Sequence, residues 1–168
     1  NVDKNFNLKE VSNIIRDFYE VKTLERIEYY FKRFEKPDCE IIINDNNIPK
    51  ARDLVSSINW KVFEKKAIFS DFHGDFHSEN IIYTNRNEFK LIDWRQNFGE
   101  KNLRKGDVYY DLGKFMHGLL VSHFHVDSNN FNVKKKLENV IEINIYNNLN
   151  NFLSLFEFQK WCIRNNYD

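Results

Sequence analysis

The chain has 168 residues, 42% of them hydrophobic, and its 25 basic and 25 acidic side chains cancel to a formal charge of zero. That length supports one domain with a real core and falls short of two ordinary ones. Zero net charge leaves no global field to favour nucleic acid or an anionic membrane surface, and charged or Asn positions interrupt every apolar run before the roughly 20 residues of a membrane span.

The opening residues lack a basic segment followed by an apolar stretch, and Cys39 and Cys162 are isolated from each other. Neither a secretory leader nor a disulfide framework is expected, and a cytoplasmic location fits. Asn1 rather than Met begins the chain, so a piece of a longer or processed protein is expected.

In chain order, residues 8–35 place Val11, Ile14, Ile15 and Phe18, then Leu24, Ile27, Tyr30, Phe31 and Phe34, at three- and four-residue intervals. That spacing predicts helix. Thr23 is a candidate N-cap for a second helix, although Arg26 stands where a capping-box glutamate would sit. Pro37 and Asp38 are expected to close that helix, residues 44–49 to form a polar loop, and residues 51–65 a third helix.

Two short β-prone runs follow, at residues 80–83 (NIIY) and 89–93 (FKLID), with TNRNE as turn chemistry between them. Beyond them, residues 109–122 carry Leu112, Phe115, Met116, Leu119 and Leu120 on one helical face. Residues 133–165 read as mainly helical, with Phe152, Leu155, Phe156 and Trp161 as core, and the 16 Phe residues as core in general. Lys134, Lys135 and Lys136 read as a solvated run. Helices are thus expected to dominate an α+β chain whose strands are confined to the region of residues 70–100.

That region, SDFHGDFHSENIIYTNRNEFKLIDWRQNFGE, holds the densest polar cluster of the chain. Folded as an antiparallel hairpin, its two runs bring Asn80 beside Asp93, and Asp75, five residues before Asn80, can approach the same end. Hard oxygen ligands on short, fixed backbone suit a magnesium ion that holds phosphates. A neighbouring carboxylate can accept a proton or orient a hydroxyl nucleophile. His123 and His125 form an H-x-H pair, for which no third metal ligand lies at a plausible spacing.

HGDFHSEN resembles the catalytic loop H-G-D-x-x-x-x-N of the aminoglycoside phosphotransferase and choline kinase family, whose fold is similar to that of protein kinases. LIDWRQNFG resembles the strand ending in that family's magnesium-binding aspartate, and KGDVYYDLGKF its G-D-x-x-x-D-L-A-K segment. More narrowly, LIDWRQNFGE with GDVYYDLGKFMHGLL is similar to a subgroup linked to bacterial surface-polysaccharide genes.

The resemblance implies the following roles. Asp75 is the catalytic base and His73 supports its loop. Asn80 and Asp93 hold magnesium and, through it, the phosphates of ATP or another nucleoside triphosphate. Asp107 and Asp111 brace the catalytic loop from the following helix, and Arg95 fixes the loop or meets an anionic substrate. The NFG triplet at residues 97–99 is not the metal-binding triplet, because it does not directly follow an apolar strand. The implied fold is the large lobe of a kinase-like protein over residues 1–168. Before residue 70 no Gly-rich hairpin or lysine-bearing strand marks a small, nucleotide-clamping lobe. A missing N-terminal lobe or fused domain is the corresponding expectation.

The implied activity is transfer of a terminal phosphate to a hydroxyl of a small polar acceptor. A sugar ranks first, an amino alcohol such as choline second and an aminoglycoside third, with neither nucleic acid nor membrane as partner. The competing reading is a non-catalytic kinase-like binding module. Retention of Asp75, Asn80 and Asp93 together argues against it, since a dead lobe has no chemical need for all three.

Overall fold

The computed structural model describes residues 8–95, 97–98 and 105–167. It is an α+β protein, about half helix and a fifth strand over those residues. The chain divides into two compact units interleaved in sequence. Of the described residues, one contains those of 67–130 and 145–167, the other residues 8–66 and 131–144. No helix among the described residues is long and apolar enough to cross a membrane.

In the unit that opens the chain, the periodic run forms α1 (Leu8–Arg16) and α2 (Lys22–Phe34). The expected break near Thr23 is absent. The helical path continues through a π-helical turn at Asp17–Val21, closed by the Lys22 amide donating to the Asp17 carbonyl. Such a turn lets a helix absorb one extra residue without ending, and here Phe18 is buried with Ile14 and Ile15. α2 ends at Glu35, which adopts φ 48° and donates its amide to the Phe31 carbonyl. Asp38 instead serves the next helix: its carboxylate accepts from the amides of Ala51 at 2.8 Å and Arg52 at 3.1 Å.

Residues 51–65 form two helices, α3 (Ala51–Ser56) and α4 (Trp60–Lys66). At the interruption, the Ser56 and Ser57 hydroxyls donate to the carbonyls of Asp53 and Leu54, offering the backbone an alternative to helix. α4 packs against α1, with the Ser12 hydroxyl bonded to the Glu64 carboxylate.

The polar loop expected at 44–49 is the turn and second strand of a hairpin, β1 (Ile41–Ile43) with β2 (Asn46–Ile48). Asn44 and Asp45 both take positive φ, 49° and 63°, as a tight two-residue turn requires and as these residue types tolerate. Much of the tail expected to be helical is also strand.

With β3 (Phe69–Asp71), β4 (Ile81–Tyr83), β5 (Phe89–Leu91) and β6 (Lys105–Asp107) in the other unit, the later hairpin is β7 (Phe131–Leu137) and β8 (Val140–Ile145). It completes a four-stranded sheet in the order β2-β1-β8-β7, with β1 parallel to β8. Asn44 extends that parallel pairing, its amide side chain donating to the Ile143 carbonyl and accepting from the Ile143 amide, both at 2.8 Å. Strands are therefore not confined to the polar cluster.

The second unit is built on two small antiparallel ribbons, β3 with β6 and β4 with β5, and on α5 (Val108–Leu120), α6 (His123–Asp127) and α7 (Leu149–Arg164). Its core is aromatic. Phe98 is fully buried and meets Phe72 edge-on at 5.2 Å, Phe69 at 6.3 Å and Tyr110 at 6.4 Å. Gly106 permits this: a Cβ there would stand 2.6 Å from the Phe98 ring and 2.8 Å from that of Phe72.

Along α7 the expected core is only partly inside. Leu155 and Phe158 are half-buried, whereas Phe152, Phe156 and Trp161 are about half exposed. Phe34, Phe63, Phe89 and Phe131 are also exposed, so Phe as a class is not core. Units this small have too little interior for so many rings. Cys39 and Cys162 are free thiols.

Candidate active site

The β4–β5 hairpin forms where the sequence predicts it. Ile81 pairs with Leu91, Ile82 with Lys90 and Tyr83 with Phe89. Continuing that register, the Ile92 amide donates to the Asn80 carbonyl at 3.0 Å. Asn80 therefore faces Ile92, and Asp93 lies one residue beyond. Asp93 takes φ 58°, a left-handed conformation that a non-glycine residue adopts at some cost and that clusters at functional sites. No side-chain hydrogen bond or ion pair of Asp93 occurs among the described residues.

The loop from His73 to Asn80 is held by four partners. Asp111, on the first turns of α5, accepts from the amides of His73 at 2.6 Å and Gly74 at 2.8 Å. Burial pushes the Asp111 carboxyl above its ordinary range, partly offset by those two amides. The His73 ring, buried, contacts the Ile92 carbonyl through Nε2 at 2.8 Å and receives the Asp75 amide on Nδ1 at 3.3 Å. These two contacts fit the neutral imidazole with its proton on Nε2. The Arg95 amide donates to the His73 carbonyl at 2.9 Å, and Phe76 stacks on Phe115 of α5, centroids 5.2 Å apart. Gly74 sits at φ 82° with Arg95 Cβ 2.7 Å from where its own Cβ would be, so only glycine fits the turn.

Asp75 thus emerges from a braced loop. Its Oδ1 lies 2.9 Å from Lys114 Nζ and 3.6 Å from Arg95, and its Oδ2 3.7 Å from His77 Nε2. At 2.9 Å the Lys114 ammonium makes a charge-assisted contact with this buried oxygen. Burial raises the Asp75 carboxyl, but Lys114, then Arg95 and His77, outweigh it and hold the group below the usual carboxylate range. Asn80, also buried, turns its amide nitrogen inward, to the Asp75 carbonyl at 2.9 Å and to His77 Nε2 at 3.2 Å.

Comparison with protein-family models, with curated proteins and with solved structures finds no match. The site therefore rests on its own geometry. Asp75, His73, Asn80, Arg95 and Asp111 converge on one loop. Asp107, 2% exposed, caps α5 through the Tyr109 amide and ties it to the Ile68 amide at 3.0 Å, at the base of the helix that carries Asp111.

Lys114 was not singled out by sequence, although it lies three residues after Asp111 and so on the same helical face. The H-x-H pair does not converge: His123 lines a cleft beside Asp75, while His125 is buried and its Nδ1 meets the amide and hydroxyl of Ser122. No group of three His, Cys, Asp or Glu residues able to hold a metal occurs among the described residues. In the NFG triplet Phe98 is core, and Gly99 lies outside the described residues.

Asn80 and Asp93 lie at the same end of the β4–β5 hairpin, one residue out of register.

Proposed function

We propose that the chain carries the catalytic half of a small-molecule phosphotransferase. It would move the terminal phosphate of a nucleoside triphosphate to a hydroxyl of a small polar acceptor, a sugar or sugar derivative first. The observation that carries this reading is Asp75 itself, a carboxylate on a loop pinned by Asp111 and His73 and held ionised beside Lys114.

Asp75 would receive the acceptor hydroxyl and orient its oxygen toward phosphorus. The new oxygen–phosphorus bond forms as the bond to the bridging oxygen of the leaving nucleoside diphosphate breaks, and the hydroxyl proton passes to Asp75. A carboxylate held below its ordinary pKa is a weak base. That suffices where the transition state is loose and the proton leaves late, so that positioning matters more than basicity. Asn80 and Asp93 would hold magnesium, which when bound supplies charge neutralisation for the phosphates. Support for the family reading is the sequence resemblance together with the braced loop and the hairpin register.

Calorimetric titration with a nucleoside triphosphate, with and without magnesium, tests it. Asp93→Ala should abolish magnesium-dependent binding and leave the fold intact; unchanged metal-dependent affinity would sink the assignment. Asp75→Ala should spare nucleotide binding but lower transfer by at least about a hundredfold, and wild-type turnover would show that another group does its work.

A further inference from the structure

A cleft of about 310 Å³ opens beside Asp75, walled by the 77–79 turn, Arg95, one face of α5 and the start of α6. Arg95 and Lys114 balance the carboxylates of Asp75 and Glu79 in formal charge, and His77, His117 and His123 add three imidazoles to the lining. Neither carboxylate is unshared: Asp75 is flanked by Lys114 and Arg95, and Glu79 lies 3.9 Å from His77. Among the described residues no Phe, Tyr or Trp ring lines the space. Among the described residues a quaternary or primary ammonium would find neither an aromatic face nor a carboxylate of its own. An anion would find an arginine fork, an ammonium and imidazoles. Gly118 keeps the wall low, since a Cβ there would already stand 3.3 Å from His77 Cβ.

We propose that this cleft binds an acceptor whose reacting hydroxyl is accompanied by an anionic group, phosphate or carboxylate, and that it rejects cationic amino alcohols. The proposal rests on the phosphotransferase reading for the word acceptor; the anion preference itself rests on the cleft. His117 and His123, which the transfer step does not use, are assigned to the anionic group, and Lys114 and Arg95 bridge it to Asp75.

The test is calorimetry of the full chain without nucleotide, using glycerol 3-phosphate, glycerate, glycerol, choline and inorganic phosphate, repeated on the double variant His117→Gln/His123→Gln with circular dichroism as the fold control. Glycerol 3-phosphate or glycerate should bind at least about tenfold more tightly than glycerol or choline, and the double variant should lose about tenfold for the anionic alcohols alone. Which of the two binds better separates phosphate from carboxylate. Equal or tighter binding of choline or glycerol, no binding of either anionic alcohol, or an unaffected double variant would overturn the proposal. Inorganic phosphate matching glycerol 3-phosphate would do the same, by reducing the cleft to a simple anion site.

A parallel titration with magnesium and a nucleoside triphosphate keeps the two readings apart. Nucleotide binding with choline preference removes only the anionic acceptor. Anion preference without nucleotide binding keeps the cleft's preference and removes the phosphotransferase.

Discussion

Asp75 is a carboxylate whose charge state is fixed by its neighbours, and Lys114 is the nearest of them, 2.9 Å from Oδ1. Replacing that lysine by Met removes a cation while keeping the length and much of the packing of the side chain. Losing an adjacent positive charge disfavours the ionised carboxyl, so Lys114→Met should raise the Asp75 pKa, read by carbon-13 NMR titration of the carboxyl. An unmoved titration would mean that Arg95 and His77 set the charge state. The sign extends to stability. A carboxyl held low in the folded state contributes stability above its unfolded value and loses it as pH falls through the folded one. Lys114→Met should therefore flatten the loss of stability in the acid range.

The HGD and DLGK segments made Asp75, His73 and Asp111 readable in the sequence. Lys114 was readable only as the fourth letter of a motif. Its reach to Asp75 depends on the loop's curl around Gly74, which no periodicity encodes.

At the scale of elements, the two β-hairpins of the polar region and of β1–β2 show why some strands could be read and others not. TNRNE separates two β-prone runs and concentrates turn residues, so the β4–β5 hairpin followed from pattern alone, while its register sets Asn80 opposite Ile92 rather than Asp93. In the 131–145 segment the alternation of Ile141, Ile143 and Ile145 with Glu142 and Asn144 is a period-2 signal. It was masked by the Lys run before it and the Asn-rich helix after it. The β1–β2 turn was similarly legible in Asn44-Asp45, residue types that accept positive φ, yet two three-residue strands leave little else to read.

The β3–β6 ribbon depends on a contact that sequence cannot reveal, the Phe72 and Phe98 rings lying on Gly106. Gly106→Ala should cost about 1–3 kcal/mol by overpacking, measured by urea denaturation. Because Asp107 follows and caps α5, the loss should be accompanied by faster amide exchange at His73 and Gly74. A neutral variant would show that the rings can step aside.

For the whole molecule, the two units share a chain that crosses between them at residues 66–67, 130–131 and 144–145. The Tyr146 amide donates to the Asn130 carbonyl at 2.9 Å, so the ends of the β7–β8 segment are already adjacent. Excising residues 131–144 and joining the ends through a few glycines should leave the Asp75 loop and the β4–β5 hairpin with unchanged NMR shifts. β1 should lose protection against hydrogen exchange because its parallel partner is gone. Loss of dispersion throughout would show that the units do not fold separately. That the chain forms two units, one closed by a segment 65 residues after its last helix, was hidden from a reading that moves along the sequence, because parallel pairing of β1 with β8 is a long-range event.

The sheet of that unit ends on β7, which carries Lys134, Lys135 and Lys136 in succession. An open strand edge is a template for pairing with other copies, and Val133 and Leu137 there are exposed. Read this way, the three lysines are guards against aggregation: adding a further strand would set like charges against one another along the growing ladder, so the run that looks like plain solvated surface keeps the sheet finite.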